Sequence, residues 1–239
     1  MKPGFAAPLA AIVLLAGLLA GCRTLDGPRG WEPQAQAPAP QRHPAYPMAE
    51  EGAAERRRQA MSEAGIAPLA GGEAGYYMGL AEEKLRGALQ GSGASVTRVG
   101  QAIIVNMPGS AAFAAGSAAA NPQFDGMLAA IAGVIKEYDR MLIDVTGHAD
   151  GQGSAAANMR LSEERARMAA NRLIAQGAEA RRFIVKGAGA REPIASDATA
   201  GGRAQNRRVE IRLTPYTDGA PANGAGTPGV RRPAAPLSP

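Results

Sequence analysis

Phe124, Leu128, Ile131, Ile135 and Tyr138 recur at steps of four, three, four and three residues. That spacing lines them up on one stripe of an α-helix, and Pro122 just ahead suits a first helical turn, where no backbone N–H is required. The period then changes to two. In MLIDVTG, Met141, Ile143 and Val145 alternate with Asp144 and Thr146, the pattern of a strand with one apolar face. A second helix is expected from about Ala156 to Gln176, stopped by Gly177. RFIVKG predicts a strand at Phe183 to Lys186, and in NRRVEIRLT the apolar Val209, Ile211 and Leu213 alternate with Arg208, Glu210 and Arg212. Upstream, Glu73 to Gln90 reads as a helix ending at Gly91, and ASVTRVGQAIIVNM contains a short β-rich run from Ile103 to Asn106.

Strands alternating with helices of this length imply helices packed on a mixed sheet, an α/β chain of the α+β two-layer kind. The folded unit is expected to run from Glu73 to Tyr216, with residues 73–100 as an N-terminal helix and lead-in and residues 101–216 as the domain proper. Residues 22–72 look different. They are rich in Pro, Ala, Gln and Arg, as in PQAQAPAPQRHPAYP, and read as a tether, although residues 49–64 have the composition of a local helix. About fifty such residues would reach about 40 Å if flexible and about 155 Å if fully extended as polyproline. Residues 217–239 lack apolar periodicity and are expected to be disordered.

The first 21 residues carry Lys2, an apolar run from Phe5 to Ala20 and small residues at its end, the pattern of an export signal. The run contains Pro8 and falls short of the roughly 20 apolar residues that a bilayer-spanning helix needs. The only cysteine, Cys22, closes the sequence Leu19-Ala20-Gly21-Cys22, which resembles the lipobox of bacterial lipoproteins. The resemblance implies cleavage before Cys22 and its attachment to diacylglycerol. Several acyl chains would hold the protein firmly, since each buried CH₂ contributes about 0.8 kcal/mol and one chain alone is marginal.

The chain is 46% apolar and only 4% aromatic, with 31 Gly and 18 Pro among 239 residues, which fits one medium domain with irregular flanks. Its formal charge is +5. Export argues against nucleic acid as the partner for that excess and leaves a solvated basic surface as the plain reading.

Candidate chemistry gathers in GHADGQGSAAANMRLSEERA, residues 147–166. On a helical wheel begun at Leu161, Ala166, Met168, Ala169 and Leu173 share one side, while Arg160, Glu163, Glu164, Arg167 and Asn171 share the other. Arg165 falls at about 40°, inside the apolar sector, where a guanidinium must snorkel outward or meet a partner. Arg172 projects nearby and is the alternative. Arg165 lies closer to the helix start, where the loop carrying Asp150 arrives, and Asn158 is about two turns earlier on the same side. A guanidinium, amide donors and the positive end of a helix dipole favour a carboxylate, while Asp150 favours an ammonium. Two readings follow from the residues alone: a site for a zwitterion, or an Asp150–Arg165 salt bridge that binds nothing.

The chain from Ala102 to Leu213 resembles the peptidoglycan-binding OmpA C-terminal-like domain, whose pattern runs GHTDxxG, NxxLSxxRA, GxGxxxP and GRxxNRRVEI. The counterparts are GHADGQG, NMRLSEERA, GAGAREP and GRAQNRRVEI, in the same order. The resemblance implies a βαβαββ fold and binding to the free amino and carboxyl groups of diaminopimelate in the peptidoglycan stem peptide. The roles fall on Asp150 and Arg165, with Asn158, Asn206 and Arg207 beside them. The chain departs from the pattern at Ala149, in place of a threonine, and in Phe113-Ala114-Ala115-Gly116-Ser117, in place of FDxxS. With its lead-in GYYMGLAEEKLR, the arrangement is also similar to a subgroup of outer-membrane lipoproteins that carry this domain.

These readings converge on a protein held in the outer membrane by lipid on Cys22, facing the periplasm and linking that membrane to peptidoglycan. A second reading is a module for periplasmic protein partners, with a wall pocket weakened by Ala114 and Ala149. Catalysis is not expected, and neither a cofactor nor a metal. His148 and Asp150 are close in sequence and Glu163 and Glu164 are near, but a metal would want a third converging ligand, and the other histidine, His43, lies in the tether.

Overall fold

A computed structural model describes residues 48–70, 72–109, 113 and 121–218. The signal segment, Cys22, the tether as far as Pro47, Ala114 to Ser117 and the tail from residue 219 lie outside the described residues. In chain order the elements are α1 (Ala53–Glu63), α2 (Ala74–Ala88), β1 (Ser95–Val99), β2 (Ala102–Pro108), α3 (Pro122–Glu137), β3 (Met141–His148), α4 (Ala155–Ala175), β4 (Phe183–Gly189), α5 (Ala200–Asn206) and β5 (Arg208–Pro215).

Local signals set the helix starts. Asn121 caps α3 by accepting the Phe124 N–H at 2.9 Å, with Pro122 behind it, and the Ser154 hydroxyl caps α4 by accepting the Ala157 N–H at 3.2 Å. The strands form one five-stranded sheet in the order β1-β2-β5-β3-β4, with every neighbouring pair antiparallel except β3 and β4. The parallel pair is joined by α4, the crossover that parallel strands require.

The period-two pattern places Ile103, Val105 and Met107 of β2 on the same face as Val209, Ile211 and Leu213 of β5 and Met141, Ile143 and Val145 of β3. That face forms the main core with α2, α3 and α4. Phe124, Leu128, Ile131 and Ile135 of α3 are fully buried in it, each side chain contributing about 1.5–3 kcal/mol relative to exposure. Arg182, in a 3-10 turn before β4, is also buried, and donates to the carbonyls of Met141 at 2.9 Å, Ile135 at 2.5 Å and Tyr138 at 2.8 Å. Burial lowers its pKa to about 10, so it stays charged at neutral pH and locks the end of α3 to the start of β3.

Three features differ from the sequence expectation. First, residues 48–70 fold onto the domain: Met48 bridges to Val185 on the outer edge of β4, and α1 lies on the second face of the sheet. There Met61 packs with Leu142 and Tyr216, and Arg57 pairs with Asp144 at 2.5 Å. Met61 is the only large apolar residue in AAERRRQAMSE, too thin a stripe for periodicity to find. The aliphatic stems of its arginines and the charge of Asp144 do the docking instead. Second, the lead-in contributes β1, an edge strand paired with β2. Third, α5 interrupts the expected pair of final strands. Its sequence AGGRAQN has no apolar stripe, and the Thr199 hydroxyl starts it by accepting the Gly202 N–H at 3.0 Å. Among the described residues no helix is long and apolar enough to cross a membrane.

Candidate functional site

The end of the sheet where β3 finishes and β5 begins carries the charged residues singled out above. Register leads there directly: His148 is paired with Arg208 across β3 and β5, so Asp150, just beyond β3, arrives beside Arg207, just before β5. The helix α4 starts at the same end and is pressed close to the strand. A Cβ on Gly147 would lie 1.9 Å from the Ser162 carbonyl oxygen, so only glycine permits this approach. Ser162 is fully buried, and its hydroxyl accepts the Gly189 N–H at 2.9 Å, tying α4 to the end of β4.

The Asp150 loop is held from several sides. Ala149 donates its N–H to the Gly189 carbonyl at 2.8 Å, and the Asp150 carboxylate accepts the Gln152 N–H at 3.2 Å. The Asn158 amide donates to the carbonyls of Asp150 at 3.0 Å and Gln152 at 2.8 Å. Gly151 donates its N–H to the Asp197 carboxylate at 2.9 Å. Asp197 is held in turn by the Asn206 amide at 2.8 Å.

Arg165 is 3% exposed, and its guanidinium lies 4.8 Å from the centre of the Phe113 ring, a cation–π contact. Burial lowers its pKa, the positive charge of Arg207 lowers it further, and the negative charge of Asp150 opposes both. Among the described residues these three groups therefore share one electrostatic site, one carboxylate with two guanidinia, an excess of positive charge. Asp150 is paired with Arg207, at 2.5 Å. The Asp150 side chain is 12% exposed and that of Arg207 36%, so the pair sits at the rim of the site with Arg165 beneath. Arg172, the alternative to Arg165, is on the surface, 3.4 Å from Asp125.

Asp150, Arg165, Asn158 and Arg207 thus come together as the sequence suggested, but with a different pairing. Asn206 departs from the expectation of a ligand contact. It is fully buried, its oxygen accepts the N–H groups of Ile194 and Ala195, and its nitrogen donates to the Ala195 carbonyl and to Asp197. With both ends of the amide occupied, Asn206 organises the loop that supports Asp150. Asp197 and Ser162 were not visible as functional residues in the sequence. Asp197 sits in a Gly- and Ala-rich loop without periodicity, and only the chain fold brings it to Gly151.

A two-layer domain with this charged cluster beside its parallel strand pair belongs to a known class. Residues 112–207 match the OmpA family, so the chain carries an OmpA domain over these residues. Among particular relatives, it is 48% identical to Probable lipoprotein YiaD of Escherichia coli over 145 residues, 61% of this chain and 66% of that protein. It is 40% identical over 81 residues to Peptidoglycan-binding protein ArfA of Mycobacterium tuberculosis, covering 34% of this chain and 25% of that one. Among solved structures, the cell wall anchor of the T6SS from Pseudomonas aeruginosa superposes with a TM-score of 0.51 at 31% identity, over 56% of this chain and 96% of that chain. The chain spans 66% of the first of these curated relatives and 25% of the second.

Proposed function

We propose that this protein binds peptidoglycan non-covalently, through the free ammonium and carboxylate of diaminopimelate in the stem peptide, and links the outer membrane to the cell wall through lipid on Cys22. Asp150 receives the ammonium and Arg165 the carboxylate. Arg207 stands beside both, and Asn158 holds the loop that presents Asp150. The observation that carries this reading is the convergence of Asp150, Arg165 and Arg207 in one electrostatic site, with opposite charges set side by side. The reading is supported by the OmpA domain and by likeness to relatives whose names are peptidoglycan-binding protein and cell wall anchor. The resemblance to Probable lipoprotein YiaD supports the lipid anchor. None of these relatives is named as an enzyme, and the site is a binding site in this reading.

The experiment is co-sedimentation with purified diaminopimelate-containing sacculi. Asp150→Ala and Arg165→Ala are each expected to lose binding by about 100-fold, because removing one charge of a desolvated recognition pair costs about 2–5 kcal/mol. Unchanged binding by both folded variants would overturn the site assignment. Separately, Cys22→Ala is expected to move the protein from the membrane to the soluble fraction, and retention in the membrane would refute the anchor.

A further inference from the structure

The Asp150 carboxylate is engaged within the protein itself. Arg207 Nη1 lies 2.5 Å from Asp150 Oδ2, the place where an incoming ammonium must bind. Arg207 reaches that position from the segment just before β5, and its side chain is three times as exposed as that of Asp150, so it is the member of the pair free to swing outward. Arg165 cannot take its place, being 3% exposed and stacked over Phe113. Asp150, for its part, is fixed by the contacts of its loop to Asn158, Gly189 and Asp197.

We propose that Arg207 is a displaceable internal counter-ion that makes the site read both charges of its ligand at once, and so sets its preference for a diaminopimelate over a lysine stem peptide. The inference rests on the function proposed above and deepens it. A ligand carrying only an ammonium has to eject Arg207 from Asp150 and offers the displaced guanidinium nothing in return. A ligand carrying only a carboxylate leaves the pair closed. A zwitterionic end does both: its ammonium replaces Arg207 on Asp150, and its carboxylate receives the guanidinium that has been freed, next to the positive charge of Arg165. Diaminopimelate has such an end. Lysine, at the same place in a stem peptide, has the ammonium alone. The net charge of the site is unchanged by the exchange only in the zwitterionic case; a lone ammonium adds to its positive excess, and an uncompensated charge at a half-buried site is costly.

The test is calorimetric titration of the full-length, detergent-solubilised protein with two synthetic tripeptides, L-Ala-γ-D-Glu-meso-diaminopimelate and L-Ala-γ-D-Glu-L-Lys. The wild type is expected to prefer the first. In Arg207→Gln, diaminopimelate affinity falls because a cation for the carboxylate is gone, while lysine affinity rises because the competitor for Asp150 is gone. The ratio between them is expected to shrink by about tenfold or more, about 1.4 kcal/mol. Arg207→Lys keeps a competing cation and should retain most of the discrimination. An unchanged ratio in Arg207→Gln, or a parallel loss of both affinities, would overturn the inference while leaving the Asp150 and Arg165 site standing. Failure of the wild type to bind either tripeptide would overturn the proposed function and this inference together.

Discussion

His148 stands at the end of β3, two residues before Asp150, and is 1% exposed, with neither ring nitrogen hydrogen-bonded among the described residues. Burial, with the positive charges of Arg208 and Lys186 adding to it, lowers its pKa from 6.5 to about 3. The folded protein therefore keeps this imidazole neutral, while the unfolded chain takes up its proton near pH 6.5. A histidine of this kind supports the fold fully above the unfolded pKa and withdraws support as the pH falls below it. Between about pH 7.5 and about pH 5 the loss works out at about 2 kcal/mol, since only the unfolded state is protonated over that range. For a domain of this size that is a fall in Tm of about 4–8 °C. Carboxylates, with ordinary pKa values near 4, contribute little above about pH 5, so the window isolates the histidine. The measurement is urea unfolding followed by circular dichroism at both pH values, for the wild type and for His148→Met, which keeps the volume but cannot titrate. The wild type should lose stability on acidification and the variant should lose much less. Equal slopes in the two proteins, or a wild type more stable in acid, would refute the assignment of a neutral buried His148.

Two further predictions concern packing. Gly147→Ala should destabilise the domain by more than about 3 kcal/mol in the same urea assay, because the added methyl meets the Ser162 backbone and pushes α4 off β3. Arg57→Ala removes the partner of Asp144, which is one-third exposed, and should cost about 1–3 kcal/mol while loosening α1. Faster proteolytic cleavage within residues 48–70, with peptidoglycan binding intact, is the expected result, and unchanged protection would show that the helix is held without the Arg57–Asp144 pair.

Much of the sheet and the helices behind it follows from the sequence, because the signals are local. Steps of three and four residues define α3, strict alternation defines the inner faces of β3 and β5, and Pro122 and Gly177 mark where helices begin and end. The same logic placed Arg165 on the buried side of α4, where the structure has it. What the sequence does not carry is the pairing of residues far apart in the chain. One of its two readings paired Asp150 with Arg165, the other left both for a ligand; strand register sets Arg207 against that carboxylate, 57 residues away. The resemblance likewise puts Asn206 among the residues that bind peptidoglycan, while in the structure the loop it holds, Ile194 to Asp197, uses its whole amide. The docking of α1 escaped for a related reason: it rests on a methionine, on the Arg57–Asp144 ion pair and on Arg58 donating to the Thr217 carbonyl, all with partners far along the chain, and these leave no period. Periodicity reports which side of an element is buried, since that depends on near neighbours alone. Which charge answers which depends on the register of the closed sheet, and only the tertiary structure decides it.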